Sequence, residues 1–159
     1  MFQNLLIIAS AQEIAPHEPG VVYYADGPGF KPLVKEAAPA SGRATFSAKL
    51  KGPHAAVRLA TGQTLRFRLC SADPTRYKLY RLRSTKNSRD VTISKVNIWI
   101  GGAKSKLSES ELPMSVEPAD SGCFTLATKG PLDEGEYAIS PTAEEYAFAF
   151  GVGEPKAPK

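Results

Sequence analysis

Proline and glycine recur so often along this chain that long helices have little room to form. The 159 residues include thirteen of each, spread from Pro16 to Pro158. Proline removes a backbone donor and clashes inside a helix, and both residues mark turns. Few windows of ten or more residues are therefore free of a helix breaker, and the pattern favours many short strands.

The closing part of the chain shows this pattern most clearly. Three short apolar or alternating segments, at residues 124–128, 136–140 and 146–152, are separated by Lys-Gly-Pro, Asp-Glu-Gly and Pro-Thr-Ala-Glu-Glu. Such sequences are typical of turns between strands. Tyr146, Phe148 and Phe150 alternate with alanine, so a pleated strand would place the three rings on one face. We predict three closing strands with that face in the core.

The middle of the chain predicts further strands. Residues 64–70 and 77–83 alternate, and a turn at 86–88 joins the second of them to residues 91–100 as a hairpin. Asp26-Gly27 predicts a hairpin turn, and residues 43–50 and 55–59 predict strands. Residues 101–118 are predicted as a loop with room for one helical turn. The predicted core contains Leu65, Phe67, Leu69, Tyr80, Leu82, Val96, Ile98, Phe148 and Phe150.

These segments predict an all-β fold, a single antiparallel β-sandwich of about seven to nine strands, with a β-barrel as the alternative. The chain length suits one domain with a sizeable core. We assign residues 20–152 to the sandwich, 12–19 to a leader and 153–159 to a disordered tail.

Residues 1–11 allow three interpretations. They join a short apolar run to Ala-Ser-Ala, which has the small-x-small form of a signal-peptidase site, but they lack a positive n-region. They are a truncated signal whose start lies upstream, a native first strand, or a chance resemblance to a signal.

Arginines cluster in the centre of the sequence. The chain carries a formal charge of +4, yet eight basic residues and one acid lie between Arg66 and Arg89, whereas the C-terminal part is acidic. Arg66 and Arg68 share one face of the strand at 64–70, and Arg81 and Arg83 share one face of the strand at 77–83. If the two strands are neighbours with these faces aligned, the four arginines form a surface for a polyanionic ligand, or they pair with acids of the same chain such as Glu134, Glu136 or Glu144.

Other chemistry is weakly supported. His17 and His54 are the only histidines and no Cys-x-x-Cys occurs, so we predict no metal and no cofactor. Cys70 and Cys123 each border a predicted strand and are either a disulfide or two buried thiols. No Gly-x-Ser-x-Gly or phosphate-binding loop occurs, and the acids lie in predicted turns, where solvated surface is the ordinary interpretation.

Both ends of the chain resemble a known group of proteins. The opening Pro19-Gly-Val-Val-Tyr-Tyr24 and the closing Pro131-Leu-Asp-Glu-Gly-Glu-Tyr-Ala-Ile139 with Phe148-Ala-Phe-Gly-Val152 are similar to uncharacterised secreted bacterial β-sandwich domains. That group ends in Leu-x-Pro-Gly-Glu-Tyr-Ala and Phe-Gly-Val, and here Glu134 replaces the proline. The resemblance implies a sandwich fold and a secreted protein, and it implies no catalytic residue.

Three functions follow as hypotheses. The first is a non-enzymatic, exported interaction or accessory module of the cell envelope, periplasmic or extracellular, whose partner is another envelope protein. The second is a binding module for an anionic polymer, namely acidic glycan, nucleic acid or an anionic lipid surface, through the arginine face. The third is a small hydrolase with acids in its turns. If residues 1–11 are not part of a signal peptide, the predicted location is cytoplasmic. The chain contains neither a membrane span nor a nucleic-acid motif that would decide between these hypotheses.

Overall fold

The computed structural model describes residues 17–41, 46–93 and 110–156. The predicted signal segment, most of the leader, and the predicted core residues Val96 and Ile98 lie outside these ranges. The described part contains fourteen strands, nine of them five residues or longer, and one 3-10 turn at Pro74–Arg76. The all-β prediction is confirmed, and the expected strand number corresponds to the longer strands.

The strands are β1 (Val22–Asp26), β2 (Gly29–Pro32), β3 (Val34–Ala37), β4 (Ala40–Ser41), β5 (Phe46–Lys51), β6 (Arg58–Leu59), β7 (Thr64–Cys70), β8 (Tyr77–Ser84), β9 (Ser88–Ile93), β10 (Glu111–Leu112), β11 (Met114–Pro118), β12 (Cys123–Pro131), β13 (Gly135–Pro141) and β14 (Tyr146–Val152).

They form two sheets. The first has five strands in the order β11-β12-β7-β1-β2, all antiparallel. The second has nine strands and follows β3-β14-β13-β8-β9-β5-β4, with β10 paired to β8 and β6 paired in parallel to β14. This larger sheet curves into a half-barrel. The arrangement is that of a β-sandwich with a barrel-like second sheet.

The main core lies between the two sheets. Alternation along β7 turns Leu65, Phe67 and Leu69 inwards, where they meet Phe148 and Phe150 of β14. The Phe67 and Phe150 rings lie 5.1 Å apart between centroids. Burying aromatic and aliphatic side chains of this size stabilises the fold by about 1.5–3 kcal/mol each.

A second, smaller core lies inside the half-barrel. Ala138, Ala147 and Ala149 present a flat face of small side chains, on which Leu50 and Leu82 pack from the curved part of the same sheet. Strand β13 is therefore buried on both faces, with Tyr137 and Ile139 in the main core. Small residues on one face allow the half-barrel to close tightly over it.

Most predicted strands and all described members of the predicted core are confirmed. The three closing strands are β12, β13 and β14, Asp26 pairs with Gly29 across the predicted hairpin, and β8 pairs with β9 next to the predicted turn. Leu65, Phe67, Leu69, Tyr80, Leu82, Phe148 and Phe150 are all buried.

The loop prediction for residues 101–118 is wrong over its second half. Residues Glu111–Leu112 form β10 and Met114–Pro118 form β11. Proline cannot donate a backbone hydrogen bond to a neighbouring strand, so the prolines of this segment favour a loop. However, β11 is an edge strand, and proline is tolerated at the end of such a strand.

Cys70 and Cys123 form a disulfide, which decides between the two alternatives left open by the sequence. They lie directly opposite each other in the register of β7 and β12. The bond joins residues 53 positions apart and ties two central strands of the five-stranded sheet together.

Contacts with the body of the domain extend beyond Val152, into the predicted tail. Gly153 donates a backbone hydrogen bond to the carbonyl of Leu59 at 2.9 Å, and its own carbonyl accepts one from Arg58 Nε at 2.9 Å. The chain up to Lys156 is thus part of the described fold.

Candidate functional site

The four arginines predicted as one face lie on two different sheets. Arg66 and Arg68 are on β7 of the five-stranded sheet, and Arg81 and Arg83 are on β8 of the half-barrel sheet. The two strands are not neighbours. The expectation of a single four-arginine surface is therefore corrected to two separate pairs, because local alternation does not determine which strands pair.

Arg68 is occupied by neighbouring side chains. Its Nη2 lies 2.7 Å from Asp120 Oδ1, and its guanidinium lies 5.7 Å from the centroid of the Phe30 ring. Only 16% of the Arg68 side chain is exposed. His17 packs beside it on Tyr23, with ring centroids 4.1 Å apart. Burial lowers the pKa of His17, and the positive charge of Arg68 lowers it further.

Arg66 faces a different cavity of about 380 Å³, which is also lined by Tyr24, Asp26 and Arg58. This cavity lies on the β7 side of the molecule. Neither arginine of β7 shares a cavity with the arginines of β8 among the described residues.

Arg81 and Arg83 remain together and face solvent. The exposed fractions of their side chains are 49% and 82%. Arg81 lies 3.6 Å from Asp133, donates to the carbonyl of Glu134 at 3.4 Å and stands 5.9 Å from the Tyr137 ring centroid. The ion pairs of both arginines are exposed, and such pairs contribute little to stability.

Arg81 and Arg83 line an open cleft of about 890 Å³ on the outer face of β8, β9, β5 and β4. We call it the basic cleft. The cleft is also lined by Lys49, Asp90, Ser41, Ser47, Thr92 and Ser110.

The strand register explains how the basic cleft forms. Asp90 is paired with Lys49 on one side and with Arg83 on the other, so the three side chains form one row across β5, β9 and β8. Neighbouring strands are about 4.8 Å apart, which places Lys49 and Arg83 roughly 10 Å from each other at the backbone. Ser41 and Ser47 begin the adjacent row.

The charge of the basic cleft is positive. Among the described residues that line it, Lys49, Arg81 and Arg83 face one carboxylate, that of Asp90. Asp90 Oδ1 accepts a hydrogen bond from Ser88 at 2.7 Å, and Asp90 Oδ2 lies 3.8 Å from Arg83. Lys49 has no ion pair among the described residues. The cleft can therefore offer at least two cations and the hydroxyl groups of Ser41 and Ser47 to an anion.

Beside the basic cleft lies a second pocket of about 400 Å³, which we call the charged pocket. Its floor is Glu136, only 4% exposed, whose carboxylate accepts hydrogen bonds from the Ala55 amide at 2.7 Å and from Arg58 Nη1 at 2.6 Å. His54 Nδ1 lies 3.7 Å from Glu136 Oε2. Arg81 borders both this pocket and the basic cleft.

The acids proposed as counter-charges are indeed in ion pairs, although with other cations than the four arginines. Glu136 pairs with Arg58, Glu134 with Lys156 at 3.0 Å, and Glu144 with Arg76 at 3.6 Å. These contacts support the interpretation of the acids as surface and ion-pair residues.

Several residues of the basic cleft and the charged pocket were not predicted from the sequence. Alternation along β5 places Lys49 on the same face as Ser47, which the sequence alone shows. The pairing of β5 with β9, and of β9 with β8, is what brings Lys49 near Arg83. Arg58, His54 and Lys156 come from separate segments that meet at the start of β13. No local pattern marks such a meeting point.

The molecule is thus an all-β domain of two sheets with one disulfide and two adjoining polar cavities. Comparison of the chain with protein-family models, with curated proteins and with solved structures finds no match. The resemblance to secreted bacterial sandwich domains therefore stays a prediction.

Two further observations concern the residues in the described ranges. None of their helical segments has the length and apolar character required to cross a bilayer. Their His, Cys, Asp and Glu side chains do not gather in groups of three or more that could hold a metal ion.

Proposed function

We propose that this chain is a non-enzymatic, exported accessory module that binds an anionic polymer in its basic cleft. The observation that carries this proposal is the convergence of Lys49, Arg81 and Arg83 on one exposed sheet face, where Asp90 is the one carboxylate among the described lining residues. Cations on one face attract polyanions and raise the rate of their association.

The disulfide supports the extracytoplasmic location. Disulfides persist in the periplasm and outside the cell and are rare in the cytosol. Cys70 and Cys123 are paired across neighbouring strands, and the bond is part of the sheet structure. A periplasmic or extracellular site would expose the basic cleft to acidic envelope glycans and anionic lipid headgroups.

The ion pairs of the acidic residues favour a binding function over a catalytic one. A glycosidase-type hydrolase needs two carboxyl groups that flank the scissile bond. Here Glu134, Glu136 and Glu144 are each engaged with a cation. In the described part of the basic cleft, the carboxylate is that of Asp90, which contacts Ser88 and Arg83.

Heparin chromatography tests the proposal. We compare the wild-type chain, the Arg81→Ala/Arg83→Ala variant and a control variant, Arg66→Ala/Arg76→Ala, which loses the same charge elsewhere. Exposed ionic contacts contribute up to about 1 kcal/mol each, so the first variant, which loses two of them, should bind several-fold to about thirtyfold more weakly. The control should elute close to wild type.

The salt dependence adds a second criterion. Exposed charges are screened by salt, so wild-type retention should fall as ionic strength rises. Lys49→Ala should shift elution in the same direction as the double variant. Retention that survives the Arg81/Arg83 substitution, or that falls equally in the control, would overturn the proposal.

A further inference from the structure

The charged pocket has a rigid floor. Arg58 is held by Glu136 through Nη1 and by the Gly153 carbonyl through Nε, at 2.6 and 2.9 Å. Its guanidinium lies over Gly151, where any Cβ would overlap it. The glycine thus makes room for the ion pair, and backbone contacts fix both partners. A site with its charged groups fixed in advance loses little entropy when a ligand binds.

A polar atom with unused hydrogen-bonding capacity faces this floor. His54 Nδ1 is shielded from solvent and makes no hydrogen bond to another described residue, although it lies 3.7 Å from Glu136 Oε2. A buried polar atom without a partner is costly, so such atoms are rare in folded proteins. The wall of the pocket beside Glu136 is therefore polar as well as charged.

The rim of the pocket carries both signs of charge. Arg81 and Lys156 are 49% and 74% exposed, and Glu134 is 43% exposed. Glu154 is the other acid that lines the pocket. With the Arg58–Glu136 pair on the floor, three cations face three carboxylates among the described residues that line the pocket.

Equal numbers of opposite charges select a particular type of ligand. A polyanion or a polycation would meet repulsion as often as attraction in this pocket, and like charges brought together oppose binding. A molecule with one ammonium and one carboxylate can pair with both sets. A volume of about 400 Å³ lies within the range of small-molecule sites.

We propose that the charged pocket is a second binding site, separate from the basic cleft, for a small zwitterion: an α-amino acid or a short peptide with free ends. The ligand carboxylate pairs with Lys156 and Arg81, and its ammonium pairs with Glu134 and Glu154, so the ligand replaces the exposed Lys156–Glu134 contact of 3.0 Å. An exposed ion pair of this kind contributes little to stability, so its loss costs little. Because Arg81 borders both cavities, experiments on this site should leave Arg81 unchanged.

Amide NMR on the full chain, labelled with ¹⁵N, tests the proposal. The probes are glycylglycine and alanylalanine, each compared with its N-acetyl form, which lacks the ammonium, and its amide, which lacks the carboxylate. We expect both dipeptides to shift the amide signals of Ala55 and Gly135 in a saturable way. The rim side chains are exposed, so each ionic contact contributes up to about 1 kcal/mol. Each singly charged analogue loses its contacts with two side chains and should bind several-fold to about thirtyfold more weakly.

Two variants complete the design. Glu134→Gln and Lys156→Met change exposed side chains and should weaken dipeptide binding while heparin retention stays at the wild-type value. The proposal is overturned if neither dipeptide gives saturable shifts at millimolar concentration, if the singly charged analogues bind equally well, or if both variants bind like wild type. The Arg81→Ala/Arg83→Ala variant alters both cavities and is left out of the dipeptide experiments, so their result does not depend on the heparin result of that variant.

Discussion

The ion pair between Arg89 and Glu36 allows the sharpest prediction about what holds the half-barrel closed. Arg89 is 2% exposed. Its Nη1 and Nη2 donate to the two carboxylate oxygens of Glu36 at 3.1 and 2.6 Å. It also donates to the carbonyls of Gly52 at 3.0 Å and Lys51 at 2.6 Å. One side chain therefore connects β9 to β3 and to the end of β5.

Arg89→Ala removes the donor for four acceptor atoms at once. Breaking a buried ion pair by deleting one partner costs about 3–5 kcal/mol, because the remaining charge is left uncompensated. Glu36 is 21% exposed and can turn partly towards water, so we expect a loss near the lower end, about 3 kcal/mol. In a urea titration this loss corresponds to a midpoint lower by about 1–3 M.

Arg83→Ala is the matched control. Arg83 precedes Arg89 in the same hairpin and also faces a carboxylate, but it is 82% exposed and 3.8 Å from Asp90. Its removal should change the free energy of unfolding by less than about 1 kcal/mol. If Arg89→Ala costs no more than Arg83→Ala, the buried pair does not stabilise the half-barrel and the reasoning fails. A Glu36→Ala/Arg89→Ala variant should recover part of the loss, since no uncompensated carboxylate remains, whereas the carbonyls of Gly52 and Lys51 still lack this donor.

Three further predictions concern stability. The Cys70–Cys123 bond joins residues 53 positions apart, so its reduction should lower the free energy of unfolding by about 4 kcal/mol. Equal urea midpoints for reduced and oxidised protein would contradict this. Gly151→Ala should cost about 1–3 kcal/mol, because the new Cβ overlaps the fixed Arg58 guanidinium, and adding Arg58→Ala should not worsen it by the full cost of Arg58→Ala alone. Burial, and to a smaller extent the charge of Glu111, raise the pKa of Tyr80 in the folded protein above the ordinary value of 10.0. The contribution of Tyr80 to stability is therefore complete below pH 10 and is lost as the pH rises through the folded-state pKa. Tyr80→Phe should show a smaller loss of stability above pH 10 than wild type, and an equal loss would exclude this residue as the cause.

Local features of the sequence were sufficient for the strands and for much of the core. Alternation identified the inward face of β7, and the rings of Phe148 and Phe150 were placed correctly, because side-chain direction in a strand depends only on residue parity. Glycine and proline marked the ends of β12, β13 and β14 for the same local reason.

Features that depend on which strands meet were not available from the sequence. β7 and β8 have similar alternating patterns with arginines outside, yet they belong to different sheets. Alternation on β8 also predicted one buried face, whereas Leu79 and Leu82 are both buried, because a core lies on each side of this strand. The basic cleft and the charged pocket arise from such long-range pairing, which no single segment records.

Strand β13 is buried on both faces, and this has a consequence for the motions of the molecule. Local opening involves the least buried elements first, and amide hydrogens in doubly covered strands exchange with solvent most slowly. Amides of β13 should therefore be among the last to exchange, after those of the edge strands β2 and β11. Glu136 is carried by β13, so the floor of the charged pocket would keep its geometry while the margins of both sheets open and close around it.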